Sequence, residues 1–175
     1  RLGWENASEC MGLVELLNAL RLSRIALHAR TGKQQYKGHP DLEAFQGFYE
    51  LCQHPLYYNG GIESLSDIRQ ILIRFPLLKG VFIGRGLLSS PLLAKEFKGN
   101  ETFLPEQRMS IYFAFHEELF SAYSQVLQGE TQLLVKMKTL WEYFLPETDR
   151  KLLKRIKKST RLQQYTESVK AIFTS

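Results

Sequence analysis

Hydrophobic period changes once along this chain, and that change limits its architecture more than any other feature. Over residues 1–99, short apolar runs ending at glycine or a polar turn alternate with stretches of helical spacing; after Pro105 only helical spacing remains. Alternation of the two periods marks β/α units, in which parallel strands are joined through covering helices. The spacing predicts the end of a strand at Arg1 to Gly3. A helix follows behind a cap at Asn6 or Ser8, with Met11, Val14, Leu17 and Leu20 on one face, and then a buried strand from Arg24 to His28. After a polar loop from Arg30 to His39, Asp41 caps a helix that buries Leu42, Phe45, Phe48 or Tyr49, and Cys52. A strand from Pro55 to Tyr58 ends at Asn59-Gly60-Gly61. Ser64 or Ser66 opens the next helix, which buries Ile68, Ile71, Leu72 and Phe75 and stops before Pro76, and the strand Gly80 to Ile83 ends at Gly84-Arg85-Gly86.

Beyond Pro105, Met109, Tyr112, Phe113, His116, Phe120, Tyr123 and Leu127 keep helical spacing. Leu133, Leu134, Met137, Leu140, Trp141, Phe144 and Leu145 do so in a second segment, with Gly129 between the two and Pro146 at the end. A basic helix and a last helix near Arg161 to Phe173 complete a small bundle. The expected fold is therefore α/β followed by α, with residues 1–99 and 100–175 as the two domains and the boundary at the Gly99-Asn100 turn.

Composition excludes several classes. With 44% hydrophobic, 23% charged and 12% aromatic residues, the chain is neither disordered, collagenous nor a disulfide scaffold. Its longest apolar runs are broken by Lys79-Gly80 and Gly84-Arg85, so no membrane span is expected. Two cysteines without metal-ligand spacing, and no basic segment leading into an apolar run at the start, predict a reducing, cytoplasmic setting. The first residue is Arg1 rather than Met, which suggests a longer reading frame.

The net charge of +5 is localised. Residues 130–175 hold 10 Lys and Arg against 5 Asp and Glu, whereas residues 1–129 hold 13 of each. Lys151, Lys154, Arg155 and Lys158 fall at i, i+3, i+4 and i+7, on one helical face, with Leu152, Leu153 and Ile156 opposite. Such a face suits a phosphate backbone, because each cation displaces condensed counterions. A merely solvated helix face has equal weight on charge alone, and a membrane surface comes third because no aromatic anchor lies among these residues.

Asn59-Gly60-Gly61 and Gly84-Arg85-Gly86 each follow a strand and precede a helix. Turns of this kind bring backbone N–H groups close to an anion, and Arg85 adds a bidentate donor. Each glycine pair alone is an ordinary tight turn; two in consecutive units point to a phosphate-bearing cofactor bridging them. His28 closes an apolar strand, where barrel enzymes place functional groups, with Arg30, Lys33 and Tyr36 on the loop that follows. A satisfied structural histidine is the competing account. Cys10 and Cys52 sit in apolar stripes and read as core thiols. His116-Glu117-Glu118 diverge around a helix and cannot converge on one ion, so no metal site is expected.

Taken in order, Arg1-Leu2-Gly3-Trp4, His28-Ala29-Arg30-Thr31 with Gln35-Tyr36-Lys37-Gly38, Tyr58-Asn59-Gly60-Gly61-Ile62, and Gly80-Val81-Phe82-Ile83-Gly84-Arg85-Gly86-Leu87 with Pro91 resemble the tRNA-dihydrouridine synthases. The likeness continues more weakly through Lys136-Met137-Lys138 and Trp141-Glu142-Tyr143, which look like a helix of the bacterial branch.

The resemblance implies the C-terminal half of a (β/α)₈ TIM barrel that holds FMN, followed by a helical domain that docks tRNA. It implies that NADPH reduces the flavin, that hydride passes to C6 of a uracil ring, and that a cysteine acid protonates C5. By motif, His28 would contact the flavin ring, and Asn59, Gly60, Gly61, Gly84 and Arg85 would hold its phosphate side. Arg30 and Tyr36 would approach the substrate nucleotide, while Lys138, Trp141, Lys151, Lys154, Arg155 and Lys158 would meet the RNA backbone. Gly61 stands where many members have Asp. The family's cysteine acid lies in a Gly-Cys-Pro neighbourhood absent here, and its flavin-contacting Lys lies two residues before the position of Arg1. The chain is accordingly expected to be the C-terminal portion of a synthase, inactive alone. Its open sheet edges are expected to favour self-association. Two other functions remain open: a non-catalytic RNA-binding module, and another FMN-dependent barrel oxidoreductase acting on a small molecule.

Overall fold

The structure is a computed structural model and describes residues 1–174. The chain separates into two compact units, residues 1–86 and residues 87–174.

The first unit holds a parallel three-stranded sheet in the spatial order β1 (Ile25–His28), β2 (Leu56–Asn59), β3 (Gly80–Phe82). Helix α1 (Val14–Ala19) precedes the sheet, and α2 (Leu42–Leu51) and α3 (Leu65–Arg74) form the two crossovers. Spatial order equal to chain order, with a helix in each connection, is compatible with part of a TIM barrel. Register sets the two faces: Leu27 pairs with Tyr58 and Tyr58 with Val81, while His28 pairs with Asn59 and Asn59 with Phe82. Because side chains alternate, Leu27, Leu56 and Tyr58 are buried on one face, and Ala26, His28, Tyr57, Asn59 and Phe82 share the other. Buried Phe45 joins Tyr58 and Phe75 edge to face, with ring centroids 5.0 Å apart in both pairs. Each such pair adds about 0.5–1.5 kcal/mol to the area buried.

Local chemistry starts the helices where the sequence predicts. The Asp41 carboxylate accepts the Ala44 N–H at 2.9 Å. Ser64 Oγ accepts from Asp67 N–H, while the Asp67 carboxylate accepts from Ser64 N–H, a reciprocal box that opens α3. The segment after Asn6 differs from expectation, running as a 3₁₀ helix over Ala7–Leu13 before α1 begins. Here the Glu9 carboxylate accepts the N–H groups of Trp4, Glu5 and Asn6 at 2.7–2.8 Å, and these bonds lower its pKa. Arg1 to Gly3 is not assigned as a strand. Leu2 N–H nevertheless donates to the Arg30 carbonyl and Gly32 N–H to the Gly3 carbonyl, which ties the segment to the loop after β1.

The second unit is helical. The division falls within the short α4 (Arg85–Ser89), the helix expected at the Gly84-Arg85-Gly86 turn, and α5 (Leu93–Gly99), which the sequence does not predict, follows. The Gly99-Asn100 turn is the end of α5, with Asn100 in the left-handed region at φ 48°. Then come α6 (Pro105–Val126), α7 (Glu130–Leu140), α8 (Arg150–Lys158) and α9 (Leu162–Phe173). Pro105 occupies the first helical position of α6, where its missing N–H costs nothing. Gly129 precedes α7 at φ 84°, a conformation that favours glycine.

The core of this unit gathers Tyr112, Leu133, Leu134, Met137, Phe144, Ile156, Val169 and Ile172 around a polar centre. Trp141 is 2% exposed, and its indole N–H donates to the Tyr165 hydroxyl at 3.0 Å. An indole N–H only donates, so the Tyr165 oxygen accepts it and turns its own proton to His116 Nε2, 2.7 Å away. His116 Nδ1–H in turn donates to the Glu117 carboxylate at 3.1 Å. Trp141, expected at the RNA backbone, is thus a core residue: packing and this hydrogen bond hold its ring away from any ligand. His116 is 1% exposed and held neutral, because burial lowers its pKa more than Glu117 raises it.

Candidate functional site

The C-terminal ends of the three strands close around a cavity of about 300 Å³. His28 ends β1; Asn59, Gly60 and Gly61 leave β2; Gly84 and Arg85 follow β3; all six line this cavity together with Arg30 and Tyr36. Its remaining wall is Ile62, Glu63, Phe82 and Ile83, none of which sequence spacing singled out for the site. Gly60 and Gly61 have φ values of 143° and 60°, and a Cβ on Gly61 would press on Pro40 Cγ at 3.0 Å. Glycine is therefore favoured in this turn, most strongly at Gly60, whose φ side chains rarely adopt. At Gly84 a Cβ would meet nothing within 4 Å, so its backbone faces open space.

Positive charge dominates the site. Arg85 lies over the Tyr36 ring at 4.5 Å from its centroid, and Arg1 lies 5.7 Å from the same centroid. Tyr36 is 62% exposed and tilts towards His28, with centroids 6.4 Å apart. Arg1 Nη1 donates to the carbonyls of Thr31 and Gln35, which holds the loop. Arg30 is only 4% exposed although it sits in a loop read as polar. Its Nη2 donates to the Gly38 carbonyl at 3.2 Å, its Nη1 lies 3.2 Å from His28 Nε2, and its buried Nε–H has no partner among the described residues. A guanidinium buried with a donor to spare is costly unless an acceptor arrives.

Burial first, then the charges of Arg1, Arg30 and Arg85, push the His28 pKa from 6.5 down to about 4. The folded chain therefore keeps His28 neutral between pH 6.5 and 4, while the unfolded chain takes up a proton there. His116 acts in the same direction. Stability is complete above about pH 6.5 and falls as pH drops towards 4. The midpoint of urea unfolding is expected to be lower at pH 5 than at pH 7.5; an equal or higher midpoint at pH 5 would contradict this.

A second set of expected residues comes together in the helical unit. Lys151, Lys154, Arg155 and Lys158 line one groove of about 440 Å³ with Ser159, Gln164, Glu167 and Ser168 of the following turn and α9. Asp149 starts α8 by accepting the N–H groups of Lys151 and Leu152, and Ile156 anchors its apolar face. No salt bridge engages these four cations among the described residues. Lys138 is half-buried and donates to the Ser159 carbonyl at 2.9 Å, so it braces the groove wall.

Cys10 and Cys52 lie outside both sites, their thiols directed to the carbonyls of Ala7 and His54. Burial raises the Cys10 pKa, which keeps it a thiol. Among the described residues no cluster of His, Cys, Asp and Glu is arranged to hold a metal ion, and no helix is long and apolar enough to cross a membrane.

The family model described as dihydrouridine synthase matches residues 1–174. A probable tRNA-dihydrouridine synthase of Aquifex aeolicus is 35% identical over 98 residues, covering 56% of this chain and 30% of that protein. One from Rhizobium leguminosarum is 34% identical over 92 residues, 52% of this chain and 29% of that protein. The tRNA-dihydrouridine(16) synthase of Escherichia coli is 27% identical over 106 residues, 60% of this chain and 33% of that protein. The chain spans about a third of the length of the curated relatives it matches.

Proposed function

The chain belongs to the dihydrouridine synthase family, and from that membership we propose that it serves in reducing the C5–C6 bond of uracil in tRNA, with FMN as cofactor and NADPH as reductant. The observation that carries this reading is the meeting of His28, Asn59-Gly60-Gly61 and Gly84-Arg85 at one strongly cationic cavity. Fit to a flavin mononucleotide is supported by two features of the cavity wall: the positive-φ glycine backbone at Gly60 and Gly61, and the Arg85 guanidinium. Bound there, FMN would supply the hydride for C6, having taken it from NADPH.

The chain's own residues bind and orient. Asn59, Gly60, Gly61, Gly84 and Arg85 hold the phosphate side of the cofactor, and His28 meets its ring. Tyr36, exposed at the rim, and Arg30, through its unpartnered Nε–H, face the substrate nucleotide. Lys151, Lys154, Arg155 and Lys158 dock the RNA backbone along their groove, with Lys138 supporting it. The unit of residues 1–86 acts as the barrel part and the helical unit after it as a docking domain. Cys10 and Cys52 stand apart from the cavity, so neither protonates C5, and the 175-residue chain alone is expected to leave tRNA unreduced.

Replacing Arg85 by Ala in the protein from the complete reading frame tests the cavity. A hydrogen-bonded charge on a phosphate contributes about 1.5–3 kcal/mol, so FMN is expected to bind about 10–150-fold more weakly. Flavin retention equal to the unsubstituted protein would refute the phosphate assignment.

A further inference from the structure

His28 is gripped by a neighbour whose hydrogen-bond polarity is fixed. Arg30 Nη1 lies 3.2 Å from His28 Nε2. A guanidinium has donors and no acceptor, and it stays charged at any ordinary pH. Nε2 therefore takes this bond through its lone pair and carries no proton. A neutral imidazole then has its one proton on Nδ1. The guanidinium cannot swing away cheaply, because Nη2 is held by the Gly38 carbonyl and the side chain is buried against the turn.

We infer that Arg30 is a positioning residue for His28: it locks the imidazole as the neutral Nδ1–H tautomer, so the ring offers a single donor, at Nδ1, to whatever binds in the cavity. The ligand atom set against His28 is then an acceptor, a carbonyl oxygen or an unprotonated ring nitrogen, and a donor there is rejected. That purpose rests on the cofactor reading above; the tautomer itself does not. Arg30 thereby acts on His28 through Nη1 while Nη2 ties it to Gly38, and its buried Nε–H is left for a ligand.

The chain labelled with ¹⁵N-histidine tests this directly, without any cofactor, through two-bond ¹H–¹⁵N correlations at pH 7. His28 is expected to show an unprotonated Nε2 and a protonated Nδ1, with a bias of about tenfold or more. Arg30→Met keeps the bulk and removes the donor, so His28 should move towards the Nε2–H form that a solvated imidazole favours. Arg30→Lys keeps a cationic donor and should hold the original form. Two other histidines report on the fold. His54 Nε2 lies 2.8 Å from the Leu17 carbonyl and must be protonated there, whereas His116 Nε2 accepts from Tyr165 and must be bare. A protonated His28 Nε2 in the unsubstituted chain would overturn the inference whatever the variants do. So would an unchanged His28 in Arg30→Met with His54 and His116 unmoved. Adding FMN afterwards separates the two claims, since an Nδ1–H ring in a full-length protein that refuses FMN would sink the cofactor reading and leave the tautomer lock standing.

Discussion

Changing Lys151, Lys154, Arg155 and Lys158 together to Glu is expected to weaken tRNA binding by about a thousandfold, the largest effect of any substitution set on this surface. All four are exposed, line one groove and enter no described salt bridge. Their charge is thus available to phosphates. Four neutralised phosphates give a salt slope of about 3, so affinity should fall about 50–150-fold between 50 and 200 mM salt, and the variant should lose most of that slope. Glu in the last turn of α8 opposes the helix dipole at about 0.3–1 kcal/mol per residue. The corresponding four-Ala variant therefore serves as a second arm, with a smaller affinity loss and an intact helix. Anisotropy titration of labelled tRNA reads both, and unchanged affinity in either variant would remove the RNA role from this groove.

Tyr165→Phe should be strongly destabilising for the loss of a single oxygen atom. Its hydroxyl accepts from Trp141 and donates to His116, so one lost oxygen strands two polar groups in a core where neither reaches water. Each stranded group costs about 1–3 kcal/mol, or about 2–6 kcal/mol together. For a chain of this length that lowers the melting temperature by about 4–24 °C. Trp141 emission should shift as its N–H loses its acceptor, and Trp4, exposed in the other unit, supplies an unaffected reference. A melting temperature within 1–2 °C of the unsubstituted chain, a shift of about 0.5 kcal/mol or less, would show that the hydroxyl is dispensable.

Much of the first unit is legible in the sequence because its signals are local. Asp41 and Ser64 cap through side-chain atoms three residues from their partners, and the glycine turns follow their strands directly. The cavity was legible for the same reason, since parallel β/α units necessarily bring the ends of successive strands side by side. Helix α5 was not, being seven residues long, too short for a period to declare itself. Arg30 misleads for a different reason. Its partners are close in the chain, His28 two residues before it and the Gly38 carbonyl eight residues after, but the irregular loop that folds back over the guanidinium follows no period that a sequence displays.

Trp141 shows two signals in conflict. Its place in the stripe Leu133, Leu134, Met137, Leu140, Trp141, Phe144 marks it as core, and the family resemblance set it against RNA; in the structure the stripe prevails. The histidine at position 116 likewise sits in an apolar stripe, but its partner lies 49 residues further on in α9, beyond any spacing rule. Charged residues on α8 were easier to read. Their face is defined by one helix alone, and Ile156 on the opposite side fixes which way that face turns.

The central claim, a flavin enzyme acting on tRNA, is tested most directly by the visible absorption spectrum of the protein expressed from its complete reading frame. Under anaerobic conditions a yellow protein should bleach with NADPH and regain its colour when unmodified tRNA is added, while the 175-residue chain should leave tRNA unreduced. A colourless protein that binds tRNA but cannot be reconstituted with FMN would contradict the claim and leave the basic groove as the functional surface.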